Sequence, residues 1–350
     1  MLEEVRDLVD LVGCRRCGVC GMGASSRCSG CGDVWYCSRA HQKEDRKAHR
    51  KRCVSIEECV ERAMERGRSA EWPVEAKVED AQMRCWVCLE SGESDSKLYR
   101  GLCGCRGDSG AAHVVCWVDQ AFAAFERKKT LDVFDKCPTC RQPFMMGPVQ
   151  LELHYALWLK IPTTTRLGFS LRDVDREASL RLLGRGLRDS ALRRSNDAQG
   201  LCDFTLDAHL YAEVLRRKRG SEDEAVKILR QVLLVSRRLI DDDDLRSMQA
   251  QKSLAEALLN QGDWRTAAIE YKDLTKRANR VLGPENFSSL VYAFDFGRVL
   301  IMENRLAEAI DLLRPFLKSA NRILGPDHGL TTKAKFMLKA AEKKHLHLLA

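Results

Sequence analysis

The chain lacks any long hydrophobic run. Its longest nearly uncharged stretch, Ala111 to Val118, is only eight residues and contains His113, whereas a membrane span needs about 20 apolar residues. No membrane partner is therefore expected. The start, Met1 to Gly13, carries Glu3, Glu4, Asp7 and Asp10 and so lacks the basic opening and apolar core of a secretory signal. A cytoplasmic location is expected, with the nucleus as the alternative. Also missing is a dense basic stripe with interleaved aromatics, so nucleic-acid binding is not expected despite a formal charge of +8. Cysteine is nearly absent from the back of the chain: after Cys140 only Cys202 occurs, while fifteen of the sixteen cysteines lie between Cys14 and Cys140.

What is present sets the organisation. At 350 residues the chain exceeds one domain on the usual scale of about 150 residues, and 45% apolar with 31% charged residues excludes wholesale disorder. In a reducing compartment such a cysteine-rich front serves metal binding more readily than disulfides. If thirteen cysteines bind four zincs as thiolates, thirteen charges are lost and eight return, and the +8 falls to +3.

The first cluster runs Cys17, Cys20, Cys28, Cys31, Cys37, His41, His49 and Cys53. Eight ligands suffice for two tetrahedral zincs, because a C-x2-C turn lets two thiolates converge on one ion and a second pair closes the site. With four protein ligands no position is left for water, so such zinc builds structure and does not hydrolyse. Cys14 also stands in C-x2-C register with Cys17; the pair Cys17 and Cys20 is preferred because its gap of seven to Cys28 fits better. The string CGVCGMGASSRCSGCGDVWYCSRAHQKEDRKAHRKRC closely resembles a MYND zinc finger. That resemblance implies that Cys17, Cys20, Cys37 and His41 hold one zinc and that Cys28, Cys31, His49 and Cys53 hold the other. It also implies a protein or peptide partner. His41 stands where the family usually has cysteine, and Arg46 where tryptophan is common. The basic run Arg46, Lys47, Arg50, Lys51, Arg52 reads first as a solvated helix face, with a nuclear localisation signal or a phosphate-binding patch as the alternatives.

Residues 55–81 read as a short helix and linker, broken at Trp72-Pro73. Cys59 has no partner at metal spacing. A second cluster follows in Cys85, Cys88, His113, Cys116, Cys103, Cys105, Cys137 and Cys140, again enough for two closed zinc sites. Its order of four cysteines, one histidine and three cysteines occurs in RING-CH fingers of ubiquitin ligases and in PHD fingers that read histone tails. One residue between Cys103 and Cys105, seven between Cys105 and His113, and Asp135 in place of a tryptophan before Cys137 resemble RING-CH over residues 84–144. The resemblance implies recruitment of a ubiquitin-conjugating enzyme and its charged ubiquitin, with no catalytic nucleophile on this chain. Catalysis would be positional. Val87 and Pro138 would form the apolar docking groove, Trp86 would flank it, and Arg141 would bridge ubiquitin and its carrier. Gln120 stands where the family commonly places a groove tryptophan.

The back half repeats. Val281-Leu-Gly-Pro-Glu-Asn286 and Ile323-Leu-Gly-Pro-Asp-His328 lie 42 residues apart, with Leu239 to Asp244 one period earlier. Ala225, Ala267 and Ala309 keep the same period, as do Gly220, Gly262 and Asn304 at the turn between paired helices. Small residues suit close helix packing, and Gly or Asn permits a left-handed turn. Tyr271, Leu313 and Leu229 share one position and read as core. This resembles a tetratricopeptide array of the kinesin-light-chain type, which implies a curved binding surface. His209, His345 and His347 read as surface histidines and Cys202 as a buried small residue.

The expected fold is mostly α: two small cross-braced zinc-binding domains and then an α-solenoid. The expected boundaries are 14–54 and 82–147 for the fingers, 55–81 for the linker, 148–203 for a degenerate helical pair and 204–346 for the array. The expected function is a RING-CH ubiquitin ligase whose MYND finger and repeats bind proteins; a non-catalytic adaptor is the alternative, and a chromatin reader a third. Zinc is the expected cofactor, with four ions.

Overall fold

The computed structural model describes residues 3–13, 17–70, 84–90, 98–99, 103, 105, 110–144, 147–161, 164–192 and 198–349. Cys14 and Trp72-Pro73 lie outside these residues. The chain divides into two compact units, Cys14–Asp189 on one side and Met1–Gly13 with Ser190–Ala350 on the other. Both are dominated by helix. Among the described residues no helix is long and apolar enough to cross a membrane.

The unit Cys14–Asp189 has little regular structure at its fingers. In the first, β1 (Ser26–Arg27) pairs antiparallel with β2 (Trp35–Tyr36), followed by α2 (Arg39–Arg50), with α1 reserved for Glu3–Gly13 in the other unit. Ser38 caps α2 by accepting from the His41 N–H at 3.2 Å. In the second, β3 (Leu98–Tyr99) pairs antiparallel with β4 (Ala112–His113), which runs into α4 (Val114–Lys128). Strands of two residues cannot hold a sheet by themselves.

The short helix expected at the start of the 55–81 linker is present, and its apolar face is buried. In α3 (Ile56–Ser69), Ile56, Val60, Ala63 and Met64 recur at helical spacing, and all four are buried. Ser55 accepts from the Glu58 N–H at 3.0 Å, with acids in the first turn and arginines in the last. The buried face packs on Leu151, Leu167, Leu171, Ala178 and Leu182. Those residues come from α5 (Pro148–Lys160), α6 (Thr164–Ser170), the 3-10 turn Leu171–Asp173 and α7 (Arg176–Leu192).

The region 148–203 therefore differs from the expected degenerate pair. Helix α5 is apolar on two sides: Leu151 faces α3, while Val149, Leu153 and Leu157 complete the core of the second finger with Trp117, Phe134 and Phe144. Helices α5 to α7 are thus built into the finger unit, and only α8 onward belongs to the array. A buried polar chain reinforces this. His154 lies within hydrogen-bond distance of Ser170 Oγ through Nδ1 at 2.6 Å and of Asp135 Oδ1 through Nε2 at 3.0 Å, and Arg166 donates to Asp135 Oδ2 at 2.9 Å. Burial raises the Asp135 carboxyl, but the bond to His154 and the Arg166 charge outweigh it and hold it below the usual range. Ser170 is 1% exposed, so this Ser-His-Asp arrangement has no route to a substrate. It is structural.

In the second unit, α8 (Ala198–Leu215) pairs with α9 (Glu222–Leu239), α10 (Leu245–Gln261) with α11 (Trp264–Val281), and α12 (Phe287–Met302) with α13 (Leu306–Ile323); α14 (Gly329–Leu349) closes the stack. Helix α1 packs on α9 and buries Val5, Leu8 and Val9. The turns inside the pairs are left-handed at Gly220, Gly262 and Asn304, with φ of 79°, 88° and 63°. Ala225, Ala267 and Ala309 are buried, as are Leu229, Tyr271 and Leu313. Ala212, Ala255 and Gly297 mark a second small-residue position on the first helices. A Cβ on Gly297 would stand 2.7 Å from Leu313 Cδ2.

Two measurements check these readings. Asp135→Asn is expected to lower the stability of the finger unit by about 1–3 kcal/mol, because Arg166 loses its charged partner; urea unfolding followed by tryptophan fluorescence reads the change. Gly297→Ala is expected to cost the array about 1–3 kcal/mol through overpacking, seen as an earlier thermal transition by circular dichroism, and an unchanged midpoint would show that Leu313 yields freely.

Candidate functional site

The sixteen candidate ligands assemble into four groups: Cys17, Cys20, Cys37 and His41; Cys28, Cys31, His49 and Cys53; Cys85, Cys88, His113 and Cys116; and Cys103, Cys105, Cys137 and Cys140. Within each group the ligand atoms lie within 4.8 Å of one another. In both fingers the first and third pairs share one group and the second and fourth pairs the other, which interleaves the chain.

The distances test whether zinc fits. With zinc bonds of about 2.3 Å to sulfur and about 2.0–2.1 Å to nitrogen, a tetrahedron has S···S edges of about 3.8 Å and S···N edges of about 3.6 Å. Cys20 to Cys37, Cys28 to Cys53 and Cys105 to Cys137 stand at 3.6, 3.6 and 3.7 Å. Cys17 to His41 Nδ1 is 3.6 Å, Cys31 to His49 Nε2 is 3.5 Å, and Cys116 to His113 Nδ1 is 3.7 Å. A disulfide would need about 2.05 Å. All four groups are consistent with zinc sites.

The electrostatics agree. Burial pushes the Cys17 thiol up, but backbone N–H groups of Cys20, Cys37 and Val19 outweigh it and bring it down to about 6. Cys28 likewise falls to about 6 against burial, through the N–H groups of Cys31 and Gly30 and the His49 ring. A C-x2-C turn presents its amides to its first sulfur, so the local fold prepares one thiolate. Other thiols go the other way: burial and neighbouring sulfurs raise Cys53 to about 11 and Cys116 to about 12, and Cys103 is raised as well. Several anions packed this closely need a shared cation.

Two surface grooves adjoin the clusters. One, of about 430 Å³, lies in the second finger between α4 and the last cysteine pair, and is bordered by Gln120, Ala124, Val133, Pro138 and Arg141. Pro138 and Arg141, both named as candidate contact residues, thus border one groove. Val87 is 36% exposed on the turn between Cys85 and Cys88 and does not border this groove. Trp86 is half-buried, and its ring packs edge-on at 5.6 Å against Trp117, which lines the groove. The other groove, of about 450 Å³, follows α2 of the first finger.

The array carries a polar row that its sequence period alone did not expose. His209, expected at the surface, is half-buried; it lies 2.9 Å from Ser253 Oγ, and burial lowers its pKa. Nearby, Arg216 bridges Glu213 and Glu256, and Lys252 joins Glu256 at 2.6 Å. Asp295 is raised by burial although Arg298 stands 3.4 Å away. Cys202 is half-buried, and Cys59 packs beside the α3 core.

Residues 14–53 match the MYND finger family. Among solved structures, one described as kinesin light chain nearly identical TPR-like repeats from Podosopora anserina is similar at 18% identity and TM-score 0.47, covering 54% of this chain and 87% of that one. BtubC (BKLC) from P. vanneervenii is similar at 14% identity and TM-score 0.45, covering 66% of this chain and 80% of that one. No curated protein matches the chain. The chain thus combines a match to the MYND finger at residues 14–53, two further Cys/His clusters and a stack of paired helices.

Zinc binding should release protons, since raised thiols such as Cys53 and Cys116 must lose theirs to become ligands. Affinity is therefore expected to rise with pH towards those values and to weaken in acid, and calorimetry in buffers of different ionisation enthalpy reads the proton count. Metal analysis of purified protein should give a value near four per chain; near two would remove one finger's sites.

Proposed function

We propose that this protein is a RING-CH-type ubiquitin-protein ligase, in which the second finger holds a charged ubiquitin-conjugating enzyme and the MYND finger and repeats select the target. The observation that carries this reading is the groove bordered by Pro138 and Arg141 beside α4 in a finger with interleaved Cys/His groups. Four zinc ions, one per group, would fold the two fingers. Zinc held by four protein ligands activates no water, so the chemistry stays on the ubiquitin thioester. What the finger supplies is geometry: an extended exposed guanidinium on Arg141, in a left-handed turn at φ 58°, just after the last ligand, can donate several hydrogen bonds to a thioester complex and hold it ready for attack. A cytoplasmic setting goes with this reading, because thiolate sites persist in a reducing compartment.

A second reading, a non-catalytic adaptor, is favoured by two particular residues. Gln120 places an amide on the groove wall, and Trp86 turns inward onto Trp117, so less apolar surface is offered to an enzyme partner. The test is discharge of ubiquitin from a panel of charged conjugating enzymes to free lysine. Stimulation by the zinc-loaded protein, reduced about tenfold or more in Val87→Ala and in Arg141→Ala, supports the ligase. No stimulation across the panel by folded protein supports the adaptor.

A further inference from the structure

We propose that the groove along α2 of the first finger binds an extended acidic peptide segment. The proposal rests on the MYND finger acting as a peptide-binding module and is independent of ligase activity. Arg39, Lys43, Arg46 and Arg50 all border one cavity of about 450 Å³, whose floor is formed by Tyr36 and three of the candidate zinc ligands, Cys28, His49 and Cys53. They occupy positions i, i+4, i+7 and i+11 of α2, which is a single helix face. All four are exposed, and no carboxylate of the described residues pairs with any of them.

Helix stability does not account for this row. Like charges at i and i+4 repel. Arg39 also opens the helix, where the dipole disfavours a cation, and the first turn contains no acid. The helix does possess acids, Glu44 and Asp45, yet neither borders the groove. Asp45 is engaged elsewhere, accepting from the Tyr36 hydroxyl at 2.9 Å. The cations are thus left uncompensated on one wall, as an anionic partner requires.

Their spacing matches a peptide. At about 1.5 Å per residue the row spans about 16 Å, with successive cations about 4.5–6 Å apart along the axis. An extended chain of about five residues covers that length, and its alternate side chains repeat about every 6.6 Å. Carboxylates on alternate residues would lie within a long side chain's reach of the row. Three of the four cations are arginines, whose planar fork suits a carboxylate. The cations also rim a concavity, which a peptide side chain enters and the rigid cylinder of a duplex does not.

The experiment is fluorescence anisotropy with the zinc-loaded full chain and labelled peptides of equal length: alternating Glu-Ser, alternating Gln-Ser, and an uncharged Pro-Leu peptide, with a short DNA duplex as a further probe. The Glu-Ser peptide is expected to bind at least about tenfold more tightly than its Gln-Ser counterpart and to weaken with salt. The double variant Lys43→Ala with Arg46→Ala should reduce it to the Gln-Ser level. Both positions are exposed, and unchanged zinc content and circular dichroism would show that the variant is folded. Equal binding of the Glu-Ser and Gln-Ser peptides, no effect of the variant, or tighter binding of the duplex would overturn the proposal. Binding of the Pro-Leu peptide alone would overturn the acidic class while keeping the finger a peptide module; binding of no peptide would remove the module reading as well.

Discussion

The mutual repulsion of clustered thiolates is the constraint on which the finger unit depends. Backbone amides draw Cys17 and Cys28 towards the thiolate form near neutrality, while burial and neighbouring sulfur push Cys53 and Cys116 the other way. A divalent cation resolves the conflict by converting repulsion into coordination. The short strands at Ser26–Arg27, Trp35–Tyr36, Leu98–Tyr99 and Ala112–His113 have no comparable source of stability.

Metal clusters alone do not make the unit. The second finger's core is finished by Val149, Leu153 and Leu157 of α5, and the opposite side of that helix receives α3 through Leu151. One helix is thereby packed on both sides, and the Asp135–His154–Ser170 chain with Arg166 fixes its register against the finger. A groove beside α4 is held by this framework, since Trp117 and Phe144 belong both to its lining and to the core behind it. The shape of the groove thus depends on residues that follow the finger in sequence.

The array rests on a different economy of contacts. Small residues at Ala225, Ala267 and Ala309 let paired helices approach, and Leu229, Tyr271 and Leu313 fill the space between them. Each pair packs on the next, α1 packs on α9, and α14 packs on α12 and α13.

The metal ligands were legible in the sequence because zinc demands specific donor types at short, local spacing. The repeats were legible because one packing solution recurs every 42 residues, and the left-handed turns at Gly220, Gly262 and Asn304 follow from the residues that tolerate them. Other features were not. That α3 is a core helix, that α5 to α7 complete the fingers, that Trp86 faces Trp117 and that His209 meets Ser253 depend on contacts between distant segments with no period to announce them. Local chemistry and repetition are written along the chain; which apolar face meets which, and where a cation finds no carboxylate, are decided only when the chain is folded, because burial and charge balance are properties of neighbours in space.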